Sequence, residues 1–171
     1  MIIKTNLTRN YVPDWTVLDA MRELIQNAID SDPEGFSITW DHMSEVVEVK
    51  TNTNLPISSL YMGESSKRDD ATKLGVHGEG LKLAILILLR EDRGPYILSN
   101  PYCIVPSFEQ ELGINTNIEV LTFQALTSGI SEEQTIISFT ANYNEYQSLS
   151  TIVLPKDTPY GLLANHDAGA L

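Results

Sequence analysis

The feature that most constrains this chain is an uninterrupted apolar run over residues 83–89, the longest in the sequence. A membrane-spanning helix needs about 20 such residues, so this run is far too short to cross a bilayer. It lies in the stretch "GLKLAILILLRED", which Gly94-Pro95 follows, and it predicts a buried helix. The 171 residues are enough to bury a real core in one domain.

The rest of the chain predicts one more long helix and many strands. Apolar residues at helical spacing predict a helix from Pro13-Asp14, with Asp14 as its N-cap, to about Ser31. One helical turn is predicted over residues 57–62. Strands are predicted at "MIIKTNLT", "FSITW", "EVVEVK", "PYILSN", "YCIVPSF", "NIEVLTFQAL" and "QTIISFT", with "STIVL" as one more candidate. This order predicts an α+β fold, a two-layer α/β sandwich with helices on one face of a mixed, largely antiparallel sheet.

Organisation and charge limit the classes of function. No repeat, low-complexity tract or linker divides the sequence, so we expect one domain over residues 1–160 and a tail over 161–171. The net charge of −12 argues against binding to a nucleic-acid backbone, and fits either a solvated surface or an acidic surface aimed at a basic partner. The N-terminus lacks a signal peptide's apolar core, and the single cysteine, Cys103, excludes an internal disulfide. We therefore expect a cytoplasmic protein without membrane contact.

The first predicted helix carries a polar stripe in the stretch "ELIQNAID". Glu23, Asn27 and Asp30 are spaced i, i+4 and i+7, so they fall within roughly 60° of one another on the helix. By itself this stripe fits the solvent-exposed face of an amphipathic helix, because all three residue types are common at surfaces.

A glycine-bearing loop, "GVHGEGLK", precedes the second predicted helix. Its glycines, Gly75, Gly78 and Gly80, let a backbone approach a ligand closely, and the first N–H groups of a helix attract anions such as phosphate. The alternative is a tight connection. The loop lacks the Gly-Lys-Ser/Thr of a Walker A motif and does not directly follow a strand, as a dinucleotide fingerprint would.

Taken together, the two motifs and the Ser65-Ser66-Lys67 between them resemble the GHKL (Bergerat-fold) ATPase superfamily, which includes gyrase, the heat-shock chaperone, MutL and histidine kinases. The stretch "RELIQNAID" is similar to the N box of that superfamily, and "GVHGEGLKLA" is similar to its second glycine box. The resemblance spans roughly residues 15–140 and extends to small ATP-binding proteins of a kind also seen in phage genomes. It implies a Bergerat-type sandwich that binds ATP and Mg²⁺.

The resemblance also implies roles for the stripe. Glu23 would be the general base for the attacking water, Asn27 the protein ligand to Mg²⁺, and Asp30 a support of the nucleotide site. Chemistry agrees, since a carboxylate base must reach a water in line with the γ-phosphate. Mg²⁺ takes oxygen ligands, keeps several waters and needs few ligands from protein.

The nucleotide is expected between the helices and the loop of residues 61–80. Lys67 would reach a phosphate, or would be a solvated loop lysine. Lys82, just inside the second helix, would touch a phosphate or point to water. The remaining contacts implied by the second glycine box are those that cradle the phosphates: Gly75, Val76, His77, Gly78, Glu79, Gly80 and Leu81.

The chain departs from the superfamily where adenine is recognised. The first glycine box, Asp-x-Gly-x-Gly, is replaced by Thr51-Asn52-Thr53-Asn54 after the strand "EVVEVK". Either Thr51 or Asn52 takes the place of the acid and would accept a weaker hydrogen bond than a carboxylate does, or the stretch is a plain polar turn. Thr135 is similar to the threonine of the superfamily's last strand, which lies near adenine.

Two classes of function follow. We expect slow hydrolysis of Mg-ATP coupled to binding of a protein partner, because the chain has no room for the second domain that supplies a lysine in gyrase and MutL. The alternative is a non-hydrolytic nucleotide-binding interaction module or inhibitor, for instance of a host protein. An acidic DNA mimic is a third alternative, but it would not need Asn27 or the three glycines.

Overall fold

The computed structural model describes residues 1–61, 79–111, 113 and 117–149 of the chain. The strand predicted at "STIVL", the tail predicted over 161–171 and residues 62–78 of the predicted loop over 61–80 lie outside these ranges. The described elements run in the order β1 Ile2–Thr8, α1 Val17–Ser31, β2 Ser37–Asp41, β3 Val46–Thr51, a 3₁₀ turn Ile57–Leu60, α2 Gly80–Arg90, β4 Tyr96–Ser99, β5 Tyr102–Gln110, β6 Glu119–Thr127, β7 Thr135–Thr140 and α3 Tyr143–Ser148.

The seven strands form one sheet in the order β1-β6-β5-β4-β7-β3-β2. Each of the pairings between described strands is antiparallel, where the sequence allowed for a mixed sheet. The predicted α+β class is confirmed. The register sets Thr135 of β7 opposite both Thr51 of β3 and Ser99 of β4, so three hydroxyl-bearing residues meet at one end of the sheet.

The two long helices pack together and provide a large part of the core. α1 buries the side chains that recur at helical spacing and leaves the others partly or fully exposed, as an amphipathic helix does. α2 is enclosed more completely, and the five residues from Ala84 to Leu88 have no exposed surface. Each large apolar side chain buried in this way contributes about 1.5–3 kcal/mol. None of the helices in the described ranges has the length and hydropathy that crossing a bilayer requires.

α1 begins two residues later than predicted. Its N-cap is Thr16 rather than Asp14, and the carboxylate of Asp19 accepts hydrogen bonds from the Thr16 backbone N–H at 2.8 Å and from its hydroxyl at 2.9 Å. Asp14 instead lies in a turn that a hydrogen bond closes, from the N–H of Trp15 to the carbonyl of Val12. The Asp19 carboxylate thus satisfies the backbone N–H of the N-cap residue. Its negative charge also lies near the positive end of the helix dipole, which is favourable.

Candidate functional site

A cavity of about 110 Å³ opens between α1, the first turn of α2 and the ends of β3 and β7. Apolar side chains from both layers of the sandwich form part of its wall: Leu24, Ala28, Val49, Leu81 and Ile137. Polar side chains also line it. Asn27 comes from the helix layer, and Thr51, Thr53, Asn54 and Thr135 come from the sheet side.

The polar stripe of α1 meets the start of α2 beside this cavity. Gly80, the first residue of α2, lies so close to Glu23 that an added Cβ would collide with the Glu23 carboxylate oxygen Oε2. The same Cβ would stand 3.6 Å from Nδ2 of Asn27. Any side chain at position 80 would therefore have to displace the Glu23 carboxylate, which glycine leaves in place. The fold brings Glu23, Asn27 and Gly80 together as one group, which we call the helix-side cluster.

Within this cluster, the amide of Asn27 is oriented by the helix itself. Its Nδ2 donates a 2.8 Å hydrogen bond to the backbone carbonyl of Glu23, one turn earlier. The side-chain oxygen is consequently the atom of Asn27 that could ligate a cation. Across the part of the chain that the structure describes, no three His, Cys, Asp or Glu side chains gather into a metal-binding group.

Glu23 is largely shielded, with 18% of its side chain exposed, and its Oε1 lies 3.7 Å from a guanidinium nitrogen of Arg22. Asp30, the third member of the stripe, is half-buried near the end of α1. At that end of the helix the cavity is lined by Ser31 rather than Asp30.

A second polar group, which we call the strand-end cluster, lies where β3, β4 and β7 end. The hydroxyl of Thr135 donates to the carbonyl of Thr53 at 2.7 Å and lies 3.0 Å from the hydroxyl of Ser99. Ser99 in turn accepts the backbone N–H of Leu55 at 2.8 Å. These bonds hold the segment after β3 against the sheet. Thr51, which is 7% exposed, completes the cluster with contacts of 3.4 Å to the carbonyl and to the hydroxyl of Thr53.

Thr51 and Asn52, the two candidates for the position of the aspartate in the first glycine box, face different surroundings. Thr51 lines the cavity. Asn52 is exposed and hydrogen-bonds to the α1–β2 connection: its N–H donates to the carboxylate of Asp32 at 2.8 Å and its amide donates to the carbonyl of Gly35 at 3.1 Å. Thr51 is thus the one of the pair that the fold brings to the cavity.

Lys82 is placed neither in water nor toward the cavity, the two places that the sequence suggested for it. It is 1% exposed, and its Nζ donates to the backbone carbonyls of Ser59 at 2.8 Å and Tyr61 at 3.2 Å. Burial lowers the pKa of this ammonium, and the nearby Glu79 carboxylate partly opposes that shift. Lys82 therefore ties the first turn of α2 to the 3₁₀ turn beside the cavity.

Of the other predicted site residues, Leu81 lines the cavity and Glu79 precedes the first turn of α2 as its N-cap residue. The rest lie outside the described residues: Lys67, Gly75, Val76, His77 and Gly78. Ser99 is the member of the strand-end cluster that sequence reasoning missed. As the last residue of a short strand it carries no local signal, and only the strand register shows its place.

Comparisons with known proteins give remote likenesses. No family model matches the sequence. A protein of Mycoplasma pneumoniae, described as "Uncharacterized protein", is 26% identical over an alignment of 172 residues, which covers 94% of this chain and 69% of that protein.

Two solved structures are similar at low identity. The ATPase region of Saccharomyces cerevisiae topoisomerase II is 13% identical with a TM-score of 0.42, and covers 87% of this chain and 42% of its own. The ATPase and transducer domains of DNA topoisomerase II from Balamuthia mandrillaris are 14% identical with a TM-score of 0.43, and cover 89% and 43%. The chain thus spans less than half the length of either structure. The role of the site therefore rests on the chain's own residues.

Proposed function

We propose that this chain binds ATP with Mg²⁺ in the cavity and hydrolyses it slowly, in a cycle coupled to binding of a protein partner. The observation that carries the proposal is the contact of Gly80 with Glu23 and Asn27. It places a shielded carboxylate and an amide against the first residue of a helix, whose free N–H groups and dipole favour a phosphate.

The helix-side cluster would serve the triphosphate. The amide oxygen of Asn27 would be the protein's ligand to Mg²⁺, and phosphate and water oxygens would supply the others. The bound cation would neutralise phosphate charge. Glu23 would hold and accept a proton from the attacking water. The loop around Gly75 and Gly78 would surround the phosphates, and Lys67 would reach them.

The strand-end cluster would receive the base. Val49 and Ile137 belong to neighbouring strands, and Leu24 faces them from α1, so the cavity offers an aromatic ring apolar contact from both layers. Thr51 and Thr135 would face its polar edge. Asp30 and Asn52 lie outside the cavity lining and would act through water.

Slow turnover is proposed because of what Lys82 does. This lysine, inside the first turn of α2, is the described cation nearest in sequence to Gly80, and it donates to the carbonyls of Ser59 and Tyr61. A cation aimed at the developing phosphate charge is a large part of the rate of such reactions. Because Lys82 is bonded to backbone carbonyls of the chain itself, that positive charge would have to come from a partner or from another segment.

The test is a calorimetric titration with ATP, with and without Mg²⁺, followed by a turnover assay at saturating ATP. We expect Mg²⁺-dependent binding, and a rise in stability of about 2.7 kcal/mol when ATP is present at 100 times its Kd. A melting temperature unchanged by millimolar Mg-ATP would refute the proposal. Tight binding with no turnover would instead support the non-hydrolytic interaction module.

A further inference from the structure

We propose that this site binds 6-oxo purine nucleotides about as well as 6-amino ones, with the hydroxyl of Thr51 facing the C6 position. This inference rests on the proposed function, since it concerns the base of the nucleotide in the same cavity. It follows from which hydroxyl protons in the strand-end cluster are already committed and which are not.

The hydroxyls of Thr135 and Ser99 have fixed directions. Thr135 has a single hydroxyl proton, and the 2.7 Å contact to the Thr53 carbonyl uses it. At 3.0 Å Ser99 must therefore be the donor to Thr135, and Ser99 accepts the N–H of Leu55 at 2.8 Å. Each of these distances is that of a normal hydrogen bond, so turning either proton toward a ligand would break a good bond.

The hydroxyl of Thr51 is different. Both of its contacts, to the carbonyl and to the hydroxyl of Thr53, measure 3.4 Å, well beyond the usual O–H···O distance of about 2.7–2.8 Å. The Thr53 carbonyl already accepts a strong bond from Thr135. Thr51 can thus turn its proton into the cavity at little cost, because the acceptor it leaves stays satisfied.

This freedom decides which purines fit. A 6-amino purine presents an N–H donor at C6 and an acceptor at N1, whereas a 6-oxo purine presents an acceptor at C6 and a donor at N1. Hydroxyls donate or accept, so Thr51 and the equally long-bonded Thr53 beside it can match either edge. Strong discrimination needs a group of fixed polarity that the wrong ligand leaves unpaired.

The sharpest probe is a comparison of ATP with inosine triphosphate, which differs from ATP at C6 and in the N1 proton and lacks the extra 2-amino group of guanine. For the wild-type protein we expect the two dissociation constants to agree within about tenfold. Thr51→Asp introduces a group that only accepts when ionised, and should shift the ratio about ten- to hundredfold toward ATP.

Thr51→Val is the matched variant, since it keeps the shape of the side chain and removes the hydroxyl. It should weaken both nucleotides by similar factors and leave their ratio within about threefold of wild type. Thr39→Val, at an exposed position on β2, controls for substitution of a strand threonine. If the buried carboxylate of Thr51→Asp prevents folding, the wild-type ratio and Thr51→Val decide.

The outcomes separate the two proposals. Similar affinity for both nucleotides, with a ratio that Thr51→Val does not move, supports the inference. Binding of ATP with inosine triphosphate more than about 100-fold weaker overturns it and leaves the proposed function standing. Failure of both nucleotides to bind overturns both.

Discussion

The two polar clusters around the cavity are built on opposite principles. The helix-side cluster joins a carboxylate and an amide to a glycine so closely that one added carbon would collide with Glu23. The strand-end cluster is neutral, and the hydroxyl of Thr51, one of its cavity-lining members, has two contacts of 3.4 Å. Tight, charged packing fixes positions, whereas long hydroxyl contacts leave room to adapt. Substitutions in the first cluster should therefore change chemistry, and those in the second should change selectivity.

The largest effect is expected from Glu23→Gln, which removes the proposed base and keeps the size of the side chain. Turnover should fall about 10²- to 10⁴-fold, because a general base typically contributes that much. ATP binding should be unchanged or slightly tighter, since one negative charge facing the phosphates is lost. Steady-state turnover and calorimetry measure the two effects.

The control for this change is Glu91→Gln, at an exposed position beyond the other end of α2. It should leave turnover within about twofold of wild type, as surface changes usually do little. Turnover of Glu23→Gln equal to that of wild type would remove the general-base role and leave Glu23 as a packing partner of Gly80.

Gly80→Ala tests the closeness of the helix-side cluster. The new methyl must displace the Glu23 carboxylate, and a misplacement of about 1 Å can cost 10²-fold in rate. Stability should change little, because the carboxylate is the far end of a flexible side chain and alanine is favoured over glycine in helices by about 0.5–1 kcal/mol. Turnover and thermal unfolding would be measured together.

Gly129→Ala is the matched control, since no atom of the described residues, apart from its two chain neighbours, lies within 4 Å of a Cβ added there. Adding Gly80→Ala to Glu23→Gln provides a second check by a double-mutant cycle. If the methyl acts by moving Glu23, the double variant should be no slower than Glu23→Gln alone. A further loss would mean that Gly80 affects the site by another route.

The sequence predicts the local features of the fold but not its long-range strand pairings. The long helices and most strands follow from apolar periods of 3.6 and 2 residues, and the stripe on α1 follows from spacing along one helix. Such features are local. The strand order β1-β6-β5-β4-β7-β3-β2 depends on pairings between distant segments, and with it the meeting of Thr51, Ser99 and Thr135.

The structure also differs from the sequence-based expectation at α3 and at Lys82. α3 was missed because "YNEYQS" has no apolar period, although the N–H of Glu145 donates to Asn142 and completes a capping box whose spacing is visible in the sequence. Lys82 was expected at a phosphate or in water because lysine is rarely buried. Its burial depends on carbonyls of Ser59 and Tyr61, which only the folded chain brings to it.

Asn27→Ala should have a smaller effect than loss of the proposed base, and the effect should be on Mg²⁺-dependent ATP binding. Without the amide oxygen, ATP affinity in the presence of Mg²⁺ should fall about 10- to 100-fold, comparable to losses at metal sites. Affinity without Mg²⁺ should barely change. Asn27→Asp, which restores an oxygen ligand, should recover part of the Mg²⁺ effect. Gln26→Ala, the neighbouring amide on α1, is the control, and equal Mg-ATP affinity in wild type and Asn27→Ala would exclude Asn27 as the ligand.

The smallest effect concerns Lys82, which connects the two sides by tying α2 to the turn that carries Ser59, a residue of the cavity lining. Burial lowers its pKa in the folded state below the ordinary value of 10.5. Between the lowered pKa and 10.5 the unfolded chain therefore binds more protons than the folded one, so stability should rise with pH across that window. Below it, the cost of burying the charge is present in full.

Lys82→Met and Lys82→Gln cannot titrate, and the difference between wild type and either variant isolates this residue from the other groups that titrate at alkaline pH. We expect urea unfolding to show that difference growing in favour of wild type as the pH approaches 10.5. A constant difference would mean that the ammonium is as well stabilised in the folded protein as in the unfolded chain. Lys82 would then tie α2 to the 3₁₀ turn at no cost from burying its charge.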